Sequence, residues 1–419
     1  VAVWTDAAFT VRMLRMAASP SDGAAGGGAV GEVFVAFLRL GLTSFGGPVA
    51  HLGYFREAFV TRRRWLGDRE YADLVALCQF LPGPASSQVG MAIGLQRAGL
   101  WGLLAAWAGF TLPSAVLLVA FAYGASALGD AAGTGWIQGV KAAAVAVVAH
   151  AVLGMARTLT PDARRATIAA AGTIAVLLAP HVLVQVGVIV VAGVAGMLWL
   201  RPEAAPAAAP APLALRLPRW VAIASLGAFA LLLFALPVLA AATGNAALRL
   251  ADVFYRAGAL VFGGGHVVLP LLHAELVLTG LVEPDAFLAG YGAAQAVPGP
   301  LFTFAAYLGA ITTTAPSGLL GAAIALIAIF VPAALLVIGV LPFWERLRHA
   351  PRARRAVMGA NAGVVGILAA ALYTPVFTEG ITTLPALVIA VAAFVAFARW
   401  SAPPWAVVIA AGLIGFVVL

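Results

Sequence analysis

Apolar runs of bilayer length follow one another along almost the whole chain. They cover roughly 31–53, 71–96, 99–124, 136–156, 166–180 and 182–200, then 220–242, 249–272, 286–310, 316–341, 356–373, 380–398 and 403–418. About 20 apolar residues span the hydrocarbon core as a helix. Each run predicts a helix or a broken helix, because lipid offers backbone polar groups no partner outside the segment. The runs are continuously apolar rather than alternating, which argues against a transmembrane β-barrel. Between the two sets, Arg201 to Pro212 is rich in Ala and Pro and predicts a linker over 201–219. The Gly/Ala-rich residues 1–30 predict a loose tail and lack the apolar core of a signal peptide.

The two sets of runs repeat. Phe37-Leu-Arg39-Leu-Gly41-Leu-Thr-Ser-Phe45-Gly46-Gly47 matches Phe254-Tyr-Arg256-Ala-Gly258-Ala-Leu-Val-Phe262-Gly263-Gly264. Gln79-Phe-Leu-Pro82-Gly83-Pro84 matches Gln295-Ala-Val-Pro298-Gly299-Pro300, Phe110-Thr-Leu-Pro113 matches Ile329-Phe-Val-Pro332, and Gly139-Val-Lys141 matches Gly359-Ala-Asn361. Four blocks in one order at a nearly constant offset indicate duplication, a hallmark of secondary transporters. The predicted organisation is a first repeat over 31–200, a bridging helix over 220–248 and a second repeat over 249–419. Arg56, Arg62, Arg63, Arg64 and Arg69 follow the first helix, whereas 273–285 carries no Arg or Lys but has Glu275, Glu283 and Asp285. This asymmetry favours inverted halves. Counting spans gives inversion if each Pro-Gly-Pro segment crosses once, at the cost of placing Arg346–Arg355 outside; re-entry of that segment would make the halves parallel.

Composition agrees with a lipid solvent. The chain is 63% apolar and 10% charged, against about 25% charged in a soluble domain. The net charge of +8 comes from short arginine clusters between apolar runs, the pattern of cytoplasmic loops rather than of nucleic-acid binding. The single cysteine, Cys78, excludes an internal disulfide. No Walker A, GxGxxG, HExxH or GxSxG pattern occurs, so no metal, cofactor or catalytic residue is assigned, and transport energy must come from a gradient.

Pro82-Gly83-Pro84 and Pro298-Gly299-Pro300 break helices inside apolar runs. Irregular backbone at that depth survives where it is buried in protein or lines a wet cavity, and a half-helix N-terminus attracts an anion. Ser86, Ser87 and Gln88 follow the first break, whereas Leu301, Phe302 and Thr303 follow the second. The first is the better anion contact, and the second reads as a scaffold or gate. Two packing kinks are the bland reading. Gly46-Gly47 and Gly263-Gly264 read either as a second break facing the first or as close small-residue packing. Arg39 and Arg256 offer guanidinium forks suited to a tetrahedral oxyanion, or structural ion pairs, with Asp252 one turn before Arg256. Lys141, the only lysine, faces substrate, exchanges a proton or snorkels, and Asn361 is its mate. Gln79 and Gln295 precede the breaks. The scattered histidines, Glu57 and Asp73 read as satisfied polar residues more readily than as proton relays. The amphipathic stretch 54–69 predicts an interfacial segment.

Leu42-Thr-Ser-Phe45-Gly-Gly-Pro-Val-Ala-His51, Arg64-Trp65-Leu66, Gln79-Phe-Leu-Pro-Gly-Pro84-Ala-Ser-Ser-Gln88 and Gly109-Phe-Thr-Leu-Pro-Ser114 resemble the first-half signature of the chromate ion transporter family. Phe262-Gly-Gly-Gly265 and Gln295-Ala-Val-Pro-Gly-Pro300 resemble its second-half signature. The resemblance covers about 31–419, the two-domain long form. It implies an all-α polytopic inner-membrane protein with oppositely oriented halves. It further implies export of chromate from the cytoplasm at the expense of the proton motive force, giving chromate resistance. Protons, the bilayer and a second copy of the chain are then the candidate partners, and nucleic acid is not. Sulfate or another oxyanion is the alternative cargo. Pro-Gly-Pro-Ala-Ser-Ser is also superficially similar to the Pro-Gly-x-Ser-Arg-Ser run of undecaprenyl-diphosphate phosphatases, but the Arg and the paired Glu box of those enzymes are missing.

Overall fold

The computed structural model describes residues 27–128, 134–201 and 218–419, and these are helical with no strand among them. Most of the expected tail and most of the expected linker lie outside the described residues. Six described helices are long and apolar enough to cross a membrane. The protein is an all-α polytopic membrane protein.

Each half opens with two helical hairpins whose tips carry the sequence breaks. Helix α1 (Gly27–Thr43) ends at a tip of Ser44–Gly46, and α2 (Gly47–Phe55) returns, continuing as a π-helical stretch Arg56–Arg62. Phe37 stacks on Phe59 with ring centroids 4.8 Å apart. Glu32, near the start of α1, pairs with Arg63 at 3.4 Å, so both ends of the hairpin share one rim. Helix α3 (Asp68–Phe80) and the first part of α4 (Ala85–Leu128) make the second hairpin around Pro82–Pro84. Its open end is marked by Gln96 donating to Glu70 at 3.3 Å.

Helix α4 is two helices in sequence. Ala98 and Gly99 leave helical geometry, Gly99 with φ +64°, a conformation that costs a side chain but not glycine. The two arms then touch backbone to backbone, for a Cβ on Gly94 would lie 2.2 Å from the carbonyl oxygen of Gly102. The second arm makes the first full crossing. Helices α5 (Gly135–Leu159), α6 (Ala163–Leu178), α7 (Val182–Trp199) and α8 (Arg219–Thr243) follow.

The second half repeats the plan. Helix α9 (Ala246–Leu260) meets its tip at Val261–Gly264 and returns through a 3-10 turn (Gly265–Val267) into α10 (Val268–Leu276). Helix α11 (Pro284–Ala296) ends at Pro298–Pro300 and returns through a 3-10 turn (Leu301–Thr303) into α12 (Phe304–Ala310). Helix α13 (Gly318–Val340) crosses, then a 3-10 turn (Leu341–Phe343) and α14 (Trp344–Arg348) lead to α15 (Pro351–Ala371). A π stretch (Leu372–Phe377), α16 (Thr378–Gly380), α17 (Leu384–Trp400) and α18 (Pro404–Val418) complete the chain. The mate of the Gly94–Gly102 contact is Gly309 against Gly321, again 2.2 Å from a would-be Cβ to a carbonyl oxygen.

The halves exchange their last two helices. Gly139 of α5 packs on Ala411 of α18, and its mate Gly359 of α15 packs on Ala192 of α7; a Cβ at either glycine would lie 2.1 Å from that alanine's oxygen. Gly135 meets Gly415 one turn back along α5, so α5 and α18 run antiparallel, as do α15 and α7, where Gly196 meets Arg355. Short turns make α5 parallel to α7 and α15 parallel to α18. The mates α5 and α15 therefore point opposite ways, and the repeats are inverted.

Inversion is thus found, but by a different count of crossings than the sequence suggests. The runs 31–53 and 71–96 do not cross. Both the Phe-Gly-Gly and the Pro-Gly-Pro segments re-enter, leaving the second arm of α4 and helices α5 to α8 as the crossings between the halves, an odd number. Re-entry of the Pro-Gly-Pro segment therefore does not make the halves parallel. This also gathers the arginines. Arg62–Arg64, Arg69, Arg97, Arg157, Arg164 and Arg165 lie on one rim with Arg346–Arg355, where Arg348 bonds Asp73 of the other half at 3.1 Å. Glu283 and Asp285 lie on the opposite rim.

Candidate functional site

The four hairpin tips meet inside the bundle and bond across the halves. The N–H of Gly83 donates to the carbonyl of Val261 at 2.7 Å, and the N–H of Gly299 donates to that of Ser44 at 2.9 Å. Ser44 and Val261 are repeat mates, as are Gly83 and Gly299. Each Pro-Gly-Pro tip thus sits on the Phe-Gly-Gly tip of the opposite half. Glycine is required at both places. Gly83 and Gly299 have φ +117° and +102°, and a Cβ on Gly299 would lie 2.8 Å from Ser114 Oγ. The remaining tip glycines, Gly46 and Gly47, Gly263 and Gly264, also have positive φ, which makes these segments true breaks rather than packing stripes. At every tip the returning arm begins, and with it a helix N-terminus carrying partial positive charge.

The chemistry around the crossing is unequal. His51 Nε2 donates to the Ser44 carbonyl at 3.2 Å, and His51 Nδ1 is 3.3 Å from Ser86 Oγ. Ser114 Oγ donates to the Thr111 carbonyl at 3.1 Å, and Gln88 Nε2 donates to the Pro82 carbonyl at 2.8 Å. Ser44, His51, Ser86, Ser87, Gln88, Thr111 and Ser114 are all buried. Ser44 Oγ, Ser87 Oγ and Thr111 Oγ1 are buried without a hydrogen-bond partner, as are Gln88 Oε1 and Gln295 Nε2. Buried polar atoms normally find partners, so each of these unused hydroxyl groups is available to a ligand oxygen. The second-half mates are Val261 for Ser44, Phe302 for Ser86, Phe330 for Thr111 and Ala333 for Ser114. The Gly299 tip therefore meets the Ser114 hydroxyl and the Ser44 carbonyl of the first half, whereas the Gly83 tip meets Gln88 of its own half and Ala333 of the other. The tip that looks apolar in its own sequence draws its polar surroundings from the other half.

The cations expected at the site stand elsewhere. Arg256 is held by Asp252 and Glu275, each at 2.9 Å, the structural pairing that its sequence spacing allows. Lys141 is buried and paired with Asp285 at 2.6 Å. Arg39 is exposed, its backbone carbonyl accepting from Thr43 Oγ1 at 2.8 Å. Gln79 is exposed at the end of α3. Asn361 faces the Gly263 tip, its Oδ1 3.5 Å from a would-be Cβ there and without a partner. Of the predicted residues, the structure brings together Gly83, Gly299 and their flanking prolines with Ser86, Ser87 and Gln88. Sequence reasoning passed over Ser44, Thr111 and Ser114, although polarity present in only one repeat marks all three, while His51 is the hydrogen-bonded polar residue that its sequence reading expects.

A family model described as "Chromate transporter" matches residues 31–197 and 248–416. The "Chromate transport protein" of Cupriavidus metallidurans is 27% identical over 403 residues, covering 92% of each chain. That of Pseudomonas aeruginosa is 30% identical over 81% of this chain and 79% of its own. The "Probable chromate transport protein" of Synechococcus elongatus is 28% identical over 80% and 82%. No solved structure matches the chain. Both matched regions hold one hairpin pair with its Phe-Gly-Gly and Pro-Gly-Pro tips, and the chain belongs to the chromate transporter family.

Proposed function

We propose that the protein is a secondary active exporter of chromate across the inner membrane, driven by the proton motive force and conferring chromate resistance. The observation that carries this reading is the crossed pair of tips with unpartnered Ser44, Ser87 and Thr111 hydroxyls beside it. Chromate is a tetrahedral dianion. Neutral hydroxyl donors and helix N-termini stabilise such an ion while still letting it leave, which fixed unpaired arginines would resist. The arginine-rich rim faces the cytoplasm by the positive-inside rule. A dianion leaving an interior at negative potential gains about 2.3 kcal/mol per charge per 100 mV, and inward proton movement supplies the rest. The names of the relatives support chromate as cargo, and no enzymatic activity is proposed. Everted vesicles with an imposed pH gradient test the reading. Chromate accumulation that collapses with the gradient is expected. Absence of chromate uptake at every pH overturns it, and uptake of sulfate in place of chromate assigns the site to the other oxyanion.

A further inference from the structure

Lys141 lies away from the crossed tips, near the start of α5 on the rim opposite the arginines. It is the only lysine in the chain and only 4% exposed. Its partner Asp285, in the first turn of α11, has a side chain 77% exposed. That carboxylate borders a cavity of about 430 Å³ whose walls include Phe121, Thr134, Trp136, Gln138 and Tyr307. At about 30 Å³ per water, the cavity has room for a hydrated tetrahedral oxyanion.

The pair is lopsided. The ammonium cannot leave its site without crossing protein, whereas the carboxylate can swing into the cavity and recover its hydration at little cost. A buried cation left alone is expensive, so something anionic must replace Asp285 when it swings out. Duplication supplies a control, for Asn361 stands at the Lys141 position of the other half and needs no counter-ion. The fold thus has no general need for an ion pair there. Helix α11 connects the pair to the transport site, with Asp285 in its first turn and the Pro298–Pro300 tip just beyond its end, about 20 Å away at 1.5 Å per residue. Between them, Gly292 packs on Val140, the neighbour of Lys141.

We propose that Asp285 is a tethered stand-in for the cargo. It covers Lys141 from the wall of this cavity, which Asp285 lines and Lys141 lies behind, and is displaced by the oxyanion on its way out. The inference rests on the reading of the protein as an oxyanion transporter, and it adds a second anion-binding station that is cationic where the central one is neutral.

Because the chain has one lysine, amine acylation followed by peptide mapping reads this station directly. Purified full-length protein in detergent is treated with an acylating reagent, with and without chromate, at constant ionic strength set with chloride. Wild type is expected to label slowly at Lys141. Asp285→Asn is expected to label about tenfold faster, because the carboxylate paired with the amine at 2.6 Å is gone, and chromate or sulfate is expected to restore slow labelling. Lys141→Arg confirms the assignment by losing the label. Fast labelling of Asp285→Asn that chromate and sulfate leave unchanged overturns the proposal, because a purely structural pair behaves that way. Should Asp285→Asn fail to fold, Asp285→Ser takes its place with the same criterion. Chromate uptake by wild-type vesicles is measured alongside. Transport without protection removes this station alone, whereas absence of transport removes the reading it rests on.

Discussion

The N–H of Gly299 rests on the carbonyl of Ser44, a residue of the opposite half, at 2.9 Å, and the symmetric contact from Gly83 to Val261 is 2.7 Å. Two hydrogen bonds thus join the four re-entrant tips in two pairs, each pair spanning the halves. Any movement that opens the site toward one rim has to slide or break a contact between the halves. The geometry suits alternating access by rocking of one repeat against the other.

Replacing either tip glycine tests these bonds. Gly299→Ala forces a Cβ against Ser114 Oγ in a left-handed conformation, which costs roughly 1–2 kcal/mol from the backbone alone. The expected outcome is loss of chromate uptake with normal amounts of protein in the membrane. Adding Ser114→Ala relieves the contact but not the backbone, so the double variant stays well below wild type.

The unpartnered hydroxyls separate function from stability. Ser44→Ala and Ser87→Ala remove groups that bond nothing in the protein, so thermal stability in detergent holds or rises by about 1 kcal/mol. Each is expected to raise the KM for chromate about tenfold, the equivalent of one lost hydrogen bond to a charged ligand. Ser86→Ala differs, because it also removes the partner of His51 and lowers stability.

The two repeat-related arginines are expected to behave in opposite ways. Arg256→Ala leaves Asp252 and Glu275 facing each other without a counter-ion and destabilises the second half by roughly 3 kcal/mol, toward the low end for a buried pair because the site is partly hydrated. Asp252→Asn with Glu275→Gln in the same chain restores stability. Arg39, exposed and away from the crossed tips, is expected on replacement by alanine to leave insertion, folding and chromate tolerance near wild type. Loss of tolerance in normally inserted Arg39→Ala would bring Arg39 into the mechanism.

Symmetry makes a paired prediction at the exchanged helices. Gly139→Val and Gly359→Val each drive a side chain into a backbone carbonyl of the other half. Both are expected to lower the melting temperature by similar amounts and to abolish uptake. A large effect from one and none from the other would show that the halves are not held together equivalently.

The duplication and the helical breaks are legible in the sequence, because Pro, Gly and repeated order leave local signatures. The contacts made by those breaks are not. A tip bonded across the halves depends on the inverted fold of both, and no local pattern says that Gly299 will lie against Ser44, Phe110 and Ser114. For the same reason the second Pro-Gly-Pro reads as apolar when only its own neighbours are counted. Crossing number fails for a related cause: apolar runs of similar length can span the bilayer or turn back within it, and the turning segments are told apart here by contacts such as Glu32 with Arg63 and Gln96 with Glu70. Arg256 shows the opposite case, where a partner four residues earlier is visible in the chain and is found in the structure.

The exchange of terminal helices has a consequence for how the chain is made. Gly135 and Gly139 leave the ribosome long before Gly415 and Ala411, the surfaces they cover. At roughly 5–20 residues per second, α5 waits for tens of seconds in the bilayer with its small-residue face against lipid. The first repeat is complete in sequence at α7 but acquires this neighbour only once α18 is made. The two halves therefore become structures together, in one late closing event.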